Sequence, residues 1–133
     1  MYPVVHFELP ANDRERSKKF YETAFDWKTS DLGPAMNNYI TVETSPTEPS
    51  GFPEKRGMIN GGIYTKTPDM PAQFPSMVLG VDDIRKVMEK VTAAGGTVLG
   101  EPMDIPGVGQ YVAFMDTEGN RLSLMQPTTP MAQ

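Results

Sequence analysis

Two stretches of the chain decide its fold: His6-Phe7-Glu8-Leu9-Pro10-Ala11-Asn12-Asp13 and Ser76-Met77-Val78-Leu79-Gly80-Val81-Asp82-Asp83. Each alternates as a half-buried strand does and then leads into a helical pattern, at a constant offset of about 70 residues. The offset aligns His6, the only histidine, with Ser76. The chain is therefore a duplicated unit whose second copy lacks the imidazole of the first.

The first helix is predicted from a start signal and an apolar stripe. Asn12 followed by Glu15 has the spacing of a capping box. The side chains that follow at helical spacing predict one buried stripe: Ser17, Phe20, Tyr21 and Ala24. Beyond it, Phe25 and Trp27 are expected to anchor the core.

The second helix has an equivalent pattern. Asp82 or Asp83 is expected to begin it, and Gly95-Gly96 to end it. Its predicted stripe comprises Ile84, Val87, Met88 and Val91.

Three strand patterns follow each helix, at 27–32, 38–43 and 58–65 in the first half and at 97–103, 110–116 and 121–126 in the second. The predicted order is βαβββ, twice. We expect one domain over 1–133, with module one at 1–66, a linker at 67–73, module two at 74–128 and a frayed tail at 129–133.

Composition excludes several classes of function. The 133-residue chain has no cysteine, which excludes disulfides, thiolate nucleophiles and cysteine-held metal sites. Seventeen acidic against 12 basic residues, without a basic cluster, argue against a nucleic-acid partner. No stretch reaches the roughly 20 apolar residues of a membrane span. We expect a cytoplasmic protein with no membrane partner.

Four motifs, in this order and spacing, resemble the vicinal oxygen chelate superfamily of glyoxalases, bleomycin-resistance proteins and extradiol dioxygenases. They are Phe20-Tyr21-Glu22-Thr23-Ala24-Phe25-Asp26-Trp27, Val81-Asp82-Asp83, Ala93-Ala94-Gly95-Gly96 and Asp116-Thr117-Glu118-Gly119-Asn120. Two further stretches look like the single-domain branch related to lactoylglutathione lyase: His6-Phe7-Glu8-Leu9-Pro10 and Ile105-Pro106-Gly107-Val108-Gly109. One departure is Asp26, where the family pattern has glycine.

The resemblance implies an α+β fold in which two βαβββ modules form an open, cup-like mixed sheet with helices outside, completed as a homodimer. It also implies a metal held by His or Gln on the first strand of each module and by Glu on the last. Of these positions only His6 matches, since Ser76 and Ser123 stand at two others and residues 58–64 offer no carboxylate. We therefore expect no metal and no other cofactor.

The candidate catalytic residues are His6 and Glu8. They lie two apart on one strand, so both side chains point to the same face. Such a pair could share a proton, with Glu8 orienting His6, or His6⁺ could bind an anionic ligand; a satisfied structural pair is the alternative. Ser76, Val78 and Ser123 are expected to line the ligand pocket.

These residues favour a metal-independent lyase or isomerase that acts on a small molecule next to a carbonyl. The alternative is a binding protein without catalysis that sequesters a small, cationic drug or metabolite, as in the bleomycin-resistance branch. A third hypothesis, a vestigial metalloenzyme in which Glu8 replaces a missing carboxylate, has the least support because the other ligands are missing. The sequence does not identify the ligand.

Overall fold

The computed structural model describes residues 1–129 and contains, over that range, two α-helices and eight β-strands. The helices are α1 (Arg14–Phe25) and α2 (Ile84–Ala93). The strands are β1 (Val4–Ala11), β2 (Lys28–Asp31), β3 (Ile40–Glu43), β4 (Asn60–Thr65), β5 (Ser76–Gly80), β6 (Thr97–Ile105), β7 (Gly109–Met115) and β8 (Arg121–Pro127). This order confirms the α+β class and the two βαβββ repeats.

The chain forms two compact units. The first unit comprises His6–Pro75, and the second comprises Met1–Val5 together with the described residues from Ser76 onward. The module and linker boundaries proposed from the sequence remain predictions.

The first unit has a four-stranded mixed sheet in the order β2-β3-β4-β1. Strand β1 runs parallel to β4, whereas β3 pairs antiparallel with both β4 and β2. The face that packs on α1 holds the buried residues Ala11, Ile40, Val42 and Ile63, with Phe7, Leu9, Tyr21 and Trp27 packed around them. Alternation sends the intervening residues of each strand to the opposite face.

The second unit repeats this arrangement in the order β5-β8-β7-β6, with β5 parallel to β8. Its core combines α2 with alternate strand residues: Val81, Ile84, Val87, Val112, Phe114 and Leu124. Met88 and Val91 pack against this core. The stripe predicted for the second helix is therefore confirmed.

The first helix differs from its prediction in two respects. It begins one residue later, because Asp13, and not Asn12, caps it by accepting a hydrogen bond from the Arg16 backbone N–H. The expected stripe is wrong for Ala24, which is exposed, and for Phe20. The expected core role is wrong for Phe25, which like Phe20 is 57% exposed.

Aromatic contacts replace that stripe. Tyr21 stacks on Trp27 with 4.7 Å between ring centroids, and Trp27 in turn contacts Phe7 of the core. Between the helix and this tryptophan, Asp26 takes the left-handed conformation (φ 58°) that glycine adopts most readily. The turn therefore forms despite the departure from the family pattern.

The segment between β3 and β4 is mostly exposed and irregular, as its prolines predict. Residues 130–133, most of the expected frayed tail, lie outside the described residues. Within residues 1–129 no helix is long and apolar enough to cross a membrane.

Asp83→Ala should lower the free energy of unfolding by about 1 kcal/mol, the usual value of an N-cap. The Asp83 carboxylate accepts a 3.1 Å hydrogen bond from the Lys86 N–H at the start of α2. Urea denaturation measures the change, with the exposed neighbour Asp82→Ala as the control. Equal losses in the two variants would contradict the capping role.

Candidate functional site

The predicted catalytic pair lies on the face of the first sheet that points away from α1. Phe7 and Leu9 belong to the core, so His6 and Glu8 lie on the opposite face. Their partners across the parallel pair are Asn60 and Gly62. We call these four residues, with Tyr39, the polar face.

His6 is held by a tyrosine that the sequence analysis did not select. Its Nε2 lies 3.0 Å from the Tyr39 hydroxyl oxygen. Burial of the imidazole lowers the pKa of His6 to about 4. His6 is therefore neutral at physiological pH, which removes support from the hypothesis that a His6⁺ cation binds an anion there.

Glu8 is buried, with 6% of its surface exposed, and it is not without an interaction partner. Its cross-strand partner Gly62 is also buried. A Cβ at Gly62 would overlap the hydroxyl and ring of Tyr39. Glycine at position 62 is thus what allows Tyr39 to reach His6.

Asn60 has a structural role on this face. Its Oδ1 accepts from the Thr44 N–H at 2.9 Å, and its Nδ2 donates to the Thr47 hydroxyl at 2.8 Å. The buried amide therefore ties the irregular 44–59 segment to the start of β4.

The three predicted pocket residues lie in the second unit. Val78 and Ser123 are cross-strand partners, each 1% exposed. Ser76, two residues before Val78 on β5, lies on the same face. The Ser123 hydroxyl lies 2.6 Å from the hydroxyl of Tyr111.

The registers make the two tyrosines equivalent. Ile40 pairs with Ile63 in the first unit and Val112 with Leu124 in the second, so Tyr39 and Tyr111 each precede the matching residue by one. Gly62 and Ser123 correspond in the same way, one residue before Ile63 and Leu124. In each unit a tyrosine hydroxyl therefore lies against the equivalent residue of the last strand, which is Gly62 in the first unit and Ser123 in the second.

A separate cavity of about 330 Å³ lies within the second unit. Its lining comes from the ends of three strands: Asp104, Ile105, Pro106, Gly107, Gly109, Gln110, Gln126, Pro127 and Thr128. None of the five predicted site residues contributes to it. Their pocket role remains a prediction.

Comparisons with known proteins agree with this architecture. Residues 4–124 match the family model described as the glyoxalase/bleomycin resistance protein/dioxygenase superfamily. The chain belongs to this superfamily.

Named members support the assignment. A glyoxylase-like domain-containing protein of Didymella fabae is 31% identical over 114 residues, which cover 85% of this chain and 84% of that protein. A protein of Arabidopsis thaliana named "Probable lactoylglutathione lyase, chloroplastic" is 26% identical over 119 residues, 88% of this chain. The match spans 33% of that longer protein.

A solved structure shows the same fold. A variant of the methylmalonyl-CoA epimerase of Streptomyces coelicolor, in complex with 2-nitronate-propionyl-CoA, superposes with a TM-score of 0.70. The alignment covers 98% of each chain at 13% identity. At this identity the likeness concerns the fold alone.

The residues present do not fit the metal that the superfamily's enzymes hold. Among residues 1–129, no three His, Asp or Glu side chains converge. At the positions that the resemblance indicates, His6 forms a hydrogen bond with Tyr39. Ser76 and Ser123 offer only hydroxyl groups, and the remaining strand has Gly62, which lies beneath Tyr39. Such a set lacks the several anionic or imidazole donors that a divalent metal requires.

Sequence reasoning missed three buried or partly buried polar residues: Tyr39, Tyr111 and Arg121. Arg121 is 4% exposed and lies two residues before Ser123, on the same face. Tyr39 and Tyr111 lie 72 residues apart, close to the repeat offset, and this recurrence was the available signal.

Protonation of His6 should destabilise the fold as the pH falls. The folded pKa of about 4 lies below the ordinary 6.5, so the unfolded chain binds the proton more tightly. Stability is complete above about pH 6.5 and declines toward pH 4, with about 2 kcal/mol lost at pH 5. Urea denaturation at pH 7 and pH 5 measures this loss.

His6→Gln is the control for that titration, because glutamine keeps polar atoms and does not ionise in this range. Its loss between pH 7 and pH 5 should be smaller by the same 2 kcal/mol or so. Identical pH dependence in both proteins would show that His6 is not the group responsible.

Gly62→Ala should displace Tyr39 and lower the free energy of unfolding by about 1–3 kcal/mol, because the added methyl group overlaps the phenol. In a Tyr39→Ala background the same change should have little effect. A double-mutant cycle by urea denaturation measures this coupling. Additive losses would mean that Tyr39 does not occupy this position in solution.

Proposed function

We propose that this superfamily member is a small-molecule enzyme of the lyase or isomerase type that acts next to a carbonyl group without a metal. The observation that supports it most is the polar face, where a buried carboxylate and a neutral imidazole project from one strand beside a phenol. A carboxylate, an imidazole and a phenol held close together in a desolvated position suit proton transfer.

Glu8 is the proposed base. A carboxylate removes a proton from the carbon next to the carbonyl, and the electron pair left behind moves onto the carbonyl oxygen. Return of the proton from Glu8 to the opposite face of the same carbon gives the epimer. Return of the proton to the neighbouring carbon, with the substrate's own hydroxyl proton moving to the former carbonyl oxygen, gives the isomer without any other reactant. Because Glu8 is largely removed from water, a full hydration shell does not lower the reactivity of its carboxylate as a base.

His6 is proposed to act on the oxygen side of the same reaction. With a pKa near 4, His6 stays neutral at physiological pH. A neutral imidazole still has one N–H and supports hydrogen bonding where negative charge develops. In the second unit, Ser76, Val78 and Ser123 are proposed to line a ligand pocket.

Binding without catalysis is the second candidate function, and the low pKa of His6 favours it. An imidazole that stays neutral and already has a hydrogen-bond partner is a poor general acid, while the carboxylate of Glu8 suits a cationic ligand. A homodimer and a cytoplasmic location also remain predictions.

The test is hydrogen exchange between a carbonyl compound and solvent. Protein treated with EDTA is incubated in D₂O with methylmalonyl-CoA or with the hemithioacetal of methylglyoxal and glutathione. Proton NMR follows loss of the hydrogen next to the carbonyl. Exchange should occur, and Glu8→Gln should reduce its rate at least 100-fold, the usual contribution of a general base.

The outcomes separate the hypotheses. Binding of either compound by calorimetry without exchange would favour the binding protein. Exchange that appears only when divalent metal is added would overturn the metal-independent proposal. Asp82→Ala, a charge removed from the surface of the second unit, is the control and should leave the exchange rate unchanged.

A further inference from the structure

Three polar side chains form a row across the second sheet, at the end where the cavity lies. Asp104 pairs with Gln110 across β6 and β7, and Gln110 pairs with Gln126 across β7 and β8. Gln110 alternates with the core residues Val112 and Phe114, so the row lies on the face that packs on α2. All three side chains line the cavity of about 330 Å³. This row, which we call the cavity row, therefore continues the apolar core face into a space large enough for a small ligand.

Two hydrogen bonds fix the amides of the cavity row. The Gln126 Oε1 accepts from the backbone N–H of Ile84, the first residue of α2, at 2.8 Å. The Gln110 Nε2 donates to the Asp104 Oδ1 at 3.1 Å. Within residues 1–129 these three side chains form no further hydrogen bond. The Gln126 Nε2, the Gln110 Oε1 and the Asp104 Oδ2 are therefore available to a ligand.

The charge of the cavity row is not balanced within the described part of the chain. Glu101, on the same strand as Asp104, is paired with Arg85 at 3.2 Å. The exposed carboxylate of Asp104 instead bonds only the neutral amide of Gln110. A second carboxylate, that of Asp83, lies at the start of α2 next to the residue that Gln126 bonds. An excess of negative charge and of acceptors favours a cation that carries N–H donors.

The rest of the cavity wall is apolar and rigid. It includes Pro106, at the turn between β6 and β7, and Pro127, at the end of β8. A Cβ at Gly109 would overlap the backbone carbonyl of Gln126, so glycine lets this turn lie directly on β8. The cavity thus combines two neighbouring acceptors on one part of its wall with proline rings on another. This combination suits a planar cation better than a compact, strongly hydrated ammonium group.

We propose that this cavity is a second ligand site, which takes a small molecule with a guanidinium group. The planar fork of N–H donors bonds the Asp104 Oδ2 and the Gln110 Oε1 together, because these acceptors belong to one cross-strand pair. The weakly hydrated face of the guanidinium packs on Pro106, and the Gln126 Nε2 donates to an acceptor elsewhere on the ligand. The site is independent of the reaction proposed at Glu8.

Butylguanidine is the probe for this site, and butylurea is its neutral isostere. In ¹H–¹⁵N correlation spectra butylguanidine should cause saturable shifts of the Gln110 and Gln126 side-chain amides, with a dissociation constant of about 1 mM, ordinary for so small a ligand. Butylurea should bind about tenfold more weakly, because its hydrogen bonds lack the charge. Butylamine should bind about threefold more weakly, because it has no planar fork. Equal binding of butylurea or of butylamine would overturn the proposal.

Asp104→Asn tests the proposed carboxylate. The variant should weaken butylguanidine binding about tenfold, since a charge-assisted hydrogen bond becomes a neutral one. Glu101→Gln removes a carboxylate from the same strand and should change the affinity less than about twofold, because solvent screens an exposed charge. Equal losses in the two variants would indicate unspecific attraction to an acidic protein and would overturn the proposal. Urea denaturation confirms that both variants remain folded.

Glu8→Gln separates this site from a cation site on the polar face, which the binding hypothesis above includes. It should leave the affinity for butylguanidine unchanged. A loss of binding in Glu8→Gln, with none in Asp104→Asn, would place the cation on the polar face and overturn the proposal. Spectra of wild-type protein without saturable shifts up to about 20 mM butylguanidine would overturn it as well.

Discussion

The parallel pairing of the first and last strand of each repeat is the constraint on which the rest of the structure depends. It sets alternate residues of both strands on one face, so the helix-facing core and the polar face are fixed together. A shift of one residue would turn His6 and Glu8 into the apolar core and would expose Phe7 and Leu9. The position of the candidate site is therefore set by the core, since burial of the apolar face is what specifies the register.

Within this strand arrangement, the absence of a side chain at Gly62 determines which polar groups meet on the polar face of the first unit. Any side chain there would occupy the space of the Tyr39 phenol. A carboxylate at this position and a tyrosine hydroxyl on His6 are therefore sterically exclusive alternatives. The buried imidazole gains a neutral hydrogen-bond partner in place of a cation, and its desolvation then lowers its pKa. The absence of a carboxylate at position 62 and the weak basicity of His6 are therefore linked through the same local packing.

The fold was predictable from the sequence because its signals are periodic and local, as shown by the second helix stripe from Ile84 to Val91. The same reasoning failed for Phe20 and Phe25, whose spacing is helical but whose environment depends on the stacking of Tyr21 against Trp27. In the site, alternation placed His6 and Glu8 on one face. It could not identify Tyr39, because the contact with His6 joins residues 33 apart and depends on the missing side chain of Gly62.

The duplicated architecture also bears on whether the superfamily's metal site has decayed or has been replaced. Decay removes ligands independently, and it gives no reason for the same residue type to cover both positions. Here the two last strands differ, with glycine in one and serine in the other, while the tyrosines that contact them coincide in register. Each phenol places a neutral hydroxyl against this position, at Gly62 in the first unit and at Ser123 in the second. A tyrosine hydroxyl against the last strand is therefore a feature that both repeats share, and simple loss of ligands does not explain it.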